Sequence, residues 1–263
     1  MSKYFFILLV FLTGCSGLEE SERSRLRKMN AKGEFIYRSA EEKSYVTAPP
    51  EKRERASYPW EEGLVAGQFK ITKDFFRCRG SLRSEPLVSQ TGEHLFDCGG
   101  GEQHSLPLKE GKEFIHPVLP ELLNYIQEST GKKVVITCGH RCPTHNAFCD
   151  ATPFNRTSKH MIGAEVDFYV EGMEYKPEVV VDLIMEYYQK RSPHKEDEAF
   201  NTFSRWNSPS NVSIPPWYNK EIFIKIYQVS EGRDLDNDHG KPYLAIQLRW
   251  DSTTSAPVTY TWS

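Results

Sequence analysis

The sequence predicts an α+β domain, a small antiparallel sheet with helices packed on it. Two β-branched runs, Val134-Val135-Ile136-Thr137 and Val166-Asp167-Phe168-Tyr169-Val170, read as strands. Residues 117–129 and 177–190 repeat their apolar side chains at helical spacing, each with a proline in the first turn. Near the end, Glu221–Tyr227 and Tyr243–Trp250 alternate apolar and polar residues around a turn, which makes an antiparallel pair.

The chain begins with Lys3 and an apolar run from Tyr4 to Leu12, too short to span a bilayer as a mature helix. Residues 1–14 are therefore read as a secretory signal. Leu12-Thr13-Gly14-Cys15 resembles the lipobox of bacterial lipoproteins, which implies cleavage before Cys15 and acylation of that cysteine. Several acyl chains anchor durably, because each buried methylene contributes about 0.8 kcal/mol. Ser16 follows the cysteine instead of aspartate, so the expected location is the bacterial envelope, lipid-anchored and facing the periplasm, at the outer membrane.

Residues 15–57 are dense in charge, from Glu19-Glu20-Ser21-Glu22-Arg23 to Glu51-Lys52-Arg53-Glu54-Arg55, and bury too little apolar surface to fold alone. They read as a tether for a domain spanning 58–263. That domain opens with an aromatic, glycine-rich stretch to about residue 111, in which Cys98-Gly99-Gly100-Gly101 reads as a tight turn and matches no phosphate loop. The first helix ends at Gly131 and is expected to lay Leu119, Leu122, Leu123 and Ile126 on the strand that follows. After the second helix, in which Tyr187 and Tyr188 are candidates for a pocket wall, residues 191–216 read as a long polar loop over the site. Trp206 lies within it and Trp217 at its border, both candidates for shaping a groove. The turn carrying Asp234, Asp236, Asp238 and His239 lacks the ligand pattern of an EF-hand loop.

With 263 residues, 38% hydrophobic content and a formal charge of -3, the chain can bury a core and lacks the basic excess of a broad nucleic-acid-binding surface. It contains six cysteines, of which Cys15 is assigned to lipid. Exported proteins meet oxidising conditions, and the preferred pairs are Cys142 with Cys149 and Cys78 with Cys98, leaving Cys138 as a buried thiol at a strand end.

The candidate chemistry is concentrated in residues 134–170. Arg141, His145 and His160 lie on segments broken by Pro143, Pro153 and Gly163, between the two strands. His160 in a loop and Asp167 on the strand it feeds can converge, and imidazole plus carboxylate suits zinc. Ser158, His160, Gly163 and Asp167 resemble the Ser-x-His-x-x-Gly-x-Ala-x-Asp motif of the zinc D,D-carboxypeptidases and D,D-dipeptidases, which share the hedgehog-type fold. Thr137-Cys138-Gly139-His140-Arg141-Cys142-Pro143 with Asn146 is similar to that family's Ser-Gly-Tyr-Arg-Ser-Pro-x-x-Asn segment. The resemblance covers roughly residues 100–250. It implies a hedgehog/D,D-peptidase-like fold, His160 and Asp167 as zinc ligands, and Arg141 near the substrate carboxylate, with His140 and Ser158 also on the substrate side.

This chain departs from the pattern at several positions: Glu165 replaces the motif alanine and His140 its tyrosine. On the strand where the family carries its third ligand, Ala245 stands at the histidine position and Gln247 at the acid. Either His239 takes over as third ligand or the site is incomplete. Glu165 and Asp238 are the candidate general bases; Glu165 is an even step from Asp167 and so faces the same side of a regular strand. The expected function is a zinc-dependent carboxypeptidase acting on peptidoglycan peptides. The alternative is an inactive lipoprotein of peptidase fold that binds peptidoglycan or a protein partner.

Overall fold

The computed structural model describes residues 63–81, 85–89, 91–100, 104, 106–149, 158–232 and 240–259. Cys15 with the signal stretch, the charged tether, and Asp238 and His239 lie outside the described residues. All of the described residues fall in one compact unit, Ala56–Ser263. No helix among them is long and apolar enough to cross a membrane.

The architecture is mixed α+β. Short hairpins come first: β1 (Leu64–Val65) with β2 (Gln68–Phe69), β3 (Leu87–Val88) with β4 (His94–Leu95), and β5 (Leu108–Lys109) with β6 (Lys112–Glu113). A 3₁₀ turn, Lys73–Phe76, interrupts them. Then follow α1 (Val118–Thr130), β7 (Val134–Cys138), α2 (Pro143–Cys149), a second 3₁₀ turn (Lys159–Ile162), β8 (Glu165–Val170), α3 (Pro177–Lys190) and the single turn α4 (Glu198–Asn201). The chain closes with β9 (Ser204–Arg205), β10 (Trp217–Tyr218), β11 (Ile222–Tyr227), β12 (Tyr243–Leu248), β13 (Trp250–Asp251) and β14 (Ala256–Pro257). The main sheet has six strands in the order β7-β8-β12-β11-β10-β9, with every neighbouring pair antiparallel.

The two faces of this sheet have different tasks, and the two-residue period of a strand assigns them. Val166, Phe168 and Val170 of β8, Ile222, Ile224 and Ile226 of β11, and Leu244, Ile246 and Leu248 of β12 form one apolar face with α1 and α3. The opposite face carries Glu165 and Asp167, Ala245 and Gln247, and Phe223 and Lys225. α1 presents Leu119, Leu122, Leu123 and Ile126 to the core, and Gly131 ends it in the left-handed conformation with its N–H on the Gln127 carbonyl at 2.9 Å. Buried Asn124 and Gln127 are satisfied by backbone, Asn124 exchanging two 2.8 Å bonds with Ile71 and Gln127 accepting from Val134.

Residues 191–216 do not simply cover the site. α4 and β9 continue the fold, and Trp206 and Trp217 sit at the far end of the sheet, Trp206 edge-on to Tyr218 and Phe223 and Trp217 beneath the Arg205 guanidinium. Tyr188 is core, its hydroxyl donating to Glu221 at 2.7 Å, while Tyr187 borders a small cavity of about 150 Å³ beside His116.

His116 gives the fold a pH dependence. Burial, reinforced by Lys109 and Lys159 and only partly offset by Asp251 at 3.8 Å, lowers its pKa to about 4. The unfolded chain, with an ordinary histidine, binds more protons between pH 4 and 6.5, so this contribution is complete above 6.5 and lost as pH falls toward 4. Urea unfolding of the wild type against His116→Phe should show a pH-dependent difference of up to about 3 kcal/mol across that window.

Candidate metal centre

The 3₁₀ turn that carries His160 is fixed at both ends. The Ser158 hydroxyl accepts the His160 N–H at 3.3 Å. Gly163 closes the turn at φ +67°, where an added Cβ would meet the Phe114 carbonyl at 2.9 Å. His160 is thereby directed at β8. Its Nδ1 lies 2.7 Å from the Gly139 carbonyl oxygen, which can only accept, so Nδ1 carries a proton and Nε2 is the nitrogen that a metal can take in place of a proton. Nε2 lies 3.4 Å from Asp167 Oδ2 and 3.6 Å from Glu165 Oε1. A ring N–H held by a backbone carbonyl behind a nitrogen aimed at carboxylates is the arrangement that orients metal-binding histidines.

Asp167 and Glu165 project from the same face of β8, as their spacing requires, and both are buried. Glu165 is not on an edge strand; Gln247, its cross-strand partner, donates to its Oε1 at 2.6 Å. Asp167 Oδ1 has no hydrogen-bond partner among the described residues. Burial, with Glu165 alongside, raises the Asp167 pKa despite the favourable His160 contact. Burial disfavours the His160 imidazolium too, yet Glu165 and Asp167 hold its pKa above the ordinary value. Two buried carboxylates, one with an orphaned oxygen and both favouring positive charge on His160, form a site that gains from a cation.

Cys138 joins them through an irregularity in β7. Val134 pairs with Val170 and Ile136 with Phe168 on the core side, but a bulge between Ile136 and Cys138 sets Cys138 opposite Asp167. Bulges re-aim side chains in this way beside functional sites. Cys138 Sγ, a His160 ring nitrogen and an Asp167 oxygen lie within 4.8 Å of one another, and the trio can hold a metal ion. On the other flank Ala245 pairs with Asp167 and is fully buried, packed with Val212, Tyr227 and Tyr243. The two candidates expected to complete the site, His239 as ligand and Asp238 as base, are outside the described residues.

A cleft of about 570 Å³ adjoins His160, Glu165 and Asp167 and is lined also by Arg141, Asn146, Ser158, Asn211 and Lys225. Arg141 Nε donates to Cys138 Sγ at 3.1 Å. His140, expected on the substrate side, is buried and its Nδ1–H donates to the His160 carbonyl at 3.0 Å, so it holds the 3₁₀ turn and does not border the cleft. Burial lowers its pKa, which keeps it neutral. His145 is also turned away, with Nδ1 2.6 Å from Asp97 Oδ1.

No disulfide joins the described cysteines. Cys78 Sγ is 3.7 Å from Cys98 Sγ, but Cys142 is grouped with those two, whereas Cys149 lies against His145 Nε2 at 3.3 Å.

Gly139 is the joint between β7 and the site. A Cβ there would meet backbone atoms of Phe76 at 2.6 Å, and the next residue, His140, donates its N–H to the Phe76 carbonyl. Gly139→Ala must displace the carbonyl that orients His160. Zinc affinity of this site, read by competition with a chromophoric chelator, should fall about 10- to 100-fold.

Comparison with protein-family models, with curated proteins and with solved structures finds no match.

Proposed function

We propose that the protein is a zinc-dependent carboxypeptidase of the D,D-peptidase type, with the hedgehog-like fold that its motifs resemble, acting on peptidoglycan peptides. The observation that carries this reading is the His160 Nε2–Asp167 Oδ2 pair, 3.4 Å apart and buried, in a cleft that the buried Arg141 also lines. Zinc would be held by His160 and Asp167 with Cys138 as third protein ligand, a donor set within the range that zinc accepts. Bound zinc supplies a Lewis acid that polarises the scissile carbonyl and makes a water nucleophilic near neutral pH.

The chain's own groups divide the remaining work. Arg141 pairs its planar guanidinium with the terminal carboxylate of the peptide and so sets which bond lies over Asp167. Glu165, held by Gln247, accepts the proton from the attacking water and returns it to the leaving amine. Ser158 and His140 fix the turn that carries His160, and the buried floor limits the access of bulk water. The signal stretch and Cys15 extend the proposal to an exported, lipid-anchored enzyme facing the periplasm.

One observation favours a second reading, a binding protein without hydrolysis: Ala245 stands directly opposite Asp167, at the position of the family's third ligand. Zinc-loaded full-length protein incubated with a muropeptide ending in D-Ala-D-Ala separates the two. The first reading predicts release of D-alanine that a chelator stops and added zinc restores. Retention of the muropeptide without cleavage supports the second reading and overturns the first.

A further inference from the structure

A second cluster of metal-binding groups lies outside the cleft. Cys78, Cys98 and Cys142 each bring a sulfur, and His104 a ring nitrogen, to positions within 4.8 Å of one another. These donors come from four separate stretches of chain. We propose that they form a closed Cys₃His site for a structural zinc ion, distinct from the proposed peptidase centre and independent of whether that centre hydrolyses anything.

The backbone around the sulfurs is built for thiolates. Cys78-Arg79-Gly80 and Cys98-Gly99-Gly100 are two copies of a Cys-x-Gly turn, with Gly80 at φ +68° and Gly100 at φ +65°. In each, the glycine N–H two residues on turns back to the sulfur, Gly80 to Cys78 and Gly100 to Cys98 at 3.4 Å. The third sulfur receives the same treatment, with the His145 N–H 3.4 Å from Cys142 Sγ. A neutral thiol is a weak acceptor, whereas an anionic sulfur is a strong one, so three backbone donors aimed at three converging sulfurs match metal thiolates.

The two turns meet back to back, and both glycines are required for it. A Cβ on Gly80 would meet Gly99 carbonyl carbon at 2.9 Å, and one on Gly100 would overlap the Arg79 carbonyl. The fourth donor is also anchored, because Arg77 Nη1 donates to the His104 carbonyl at 3.2 Å while the same guanidinium is paired with Glu113 at 2.9 Å. A disulfide between Cys78 and Cys98 would use two of the sulfurs and leave Cys142 and His104 converging on it with no role. Four protein ligands leave no open position, which is the mark of a structural site. Its location ties the short hairpins before α1 to Cys142, the neighbour of Arg141, and so fixes the wall of the cleft.

The test uses full-length His160→Ala protein, in which the peptidase centre is disabled, loaded with zinc alone and freed of excess by gel filtration. About one zinc per chain should remain, and the further change Cys98→Ser should remove it. Cobalt in place of zinc should give sulfur-to-metal charge-transfer absorption in the His160→Ala protein, a readout that needs no substitution in the cluster. In the zinc-loaded wild type, Cys78, Cys98 and Cys142 should resist alkylation until a chelator is added. The proposal is overturned if His160→Ala protein keeps no zinc and shows no cobalt–thiolate absorption, or if peptide mapping finds two of the three sulfurs joined as a disulfide. Zinc-loaded wild type that keeps this zinc but cleaves no muropeptide would count against the proposed function alone.

Discussion

Asp167→Asn is expected to abolish D-alanine release, by on the order of a thousandfold or more, while leaving the metal-free fold as stable as the wild type or more so. The substitution keeps the shape of the side chain and removes its charge. In the metal-free protein that charge is a burden, since the carboxyl is buried beside Glu165 with Oδ1 lacking a partner among the described residues. In the proposed zinc site the same charge would serve as a ligand. Activity and stability should therefore move in opposite directions, as is common where a site stores an unfavourable buried group for function. Assays of muropeptide cleavage and thermal unfolding in chelator, run on both proteins, check the two halves. A variant that loses activity merely because it unfolds contradicts the assignment.

Arg141→Ala is the second large effect. A charge-assisted, two-point contact with a carboxylate is worth roughly 2–4 kcal/mol, so kcat/KM for a peptide with a free C-terminus should drop about 30- to 1,000-fold. A substrate whose terminal carboxylate is amidated should lose far less, because its contact with the guanidinium is already missing. Arg141→Lys should restore little, since an ammonium offers a point charge in place of a planar fork. Arg141 Nε also donates to Cys138 Sγ, so zinc content must be measured alongside. Retained zinc with a carboxylate-dependent loss is the expected pattern.

Much of the frame was legible from residue order. α3 begins at the proline and ends at the lysine that the pattern indicated, and the terminal antiparallel pair runs Ile222–Tyr227 against Tyr243–Leu248. The even spacing of Glu165 and Asp167 correctly put both carboxylates on one face, because β8 is regular through them. Ala245, read from the sequence as standing where the motif carries a histidine, pairs with Asp167 in the cross-strand register.

Other features were hidden for physical reasons. Cys138 is in phase with Val134 and Ile136, and a regular strand would have buried it in the core; the bulge that turns it to the site leaves no mark in the residue pattern. The exact neighbours of Cys78, Cys98 and Cys142 depend on how three distant loops meet, which spacing within any one of them does not encode. The repeated Cys-x-Gly turn was the available signal, since a glycine two residues after a cysteine lets its N–H fold back to the sulfur. His140, next to Arg141, and His145, four residues beyond it in α2, face into the protein, His140 on the His160 carbonyl and His145 on Asp97.

The most direct test of the central claim is an anomalous difference map at the zinc absorption edge from crystals of zinc-loaded protein. Zinc in the proposed centre should give a peak about 2.0–2.2 Å from both His160 Nε2 and an Asp167 carboxylate oxygen, with Cys138 Sγ about 2.3 Å away. Density at the Cys78, Cys98, His104 and Cys142 cluster with none between His160 and Asp167 would contradict it.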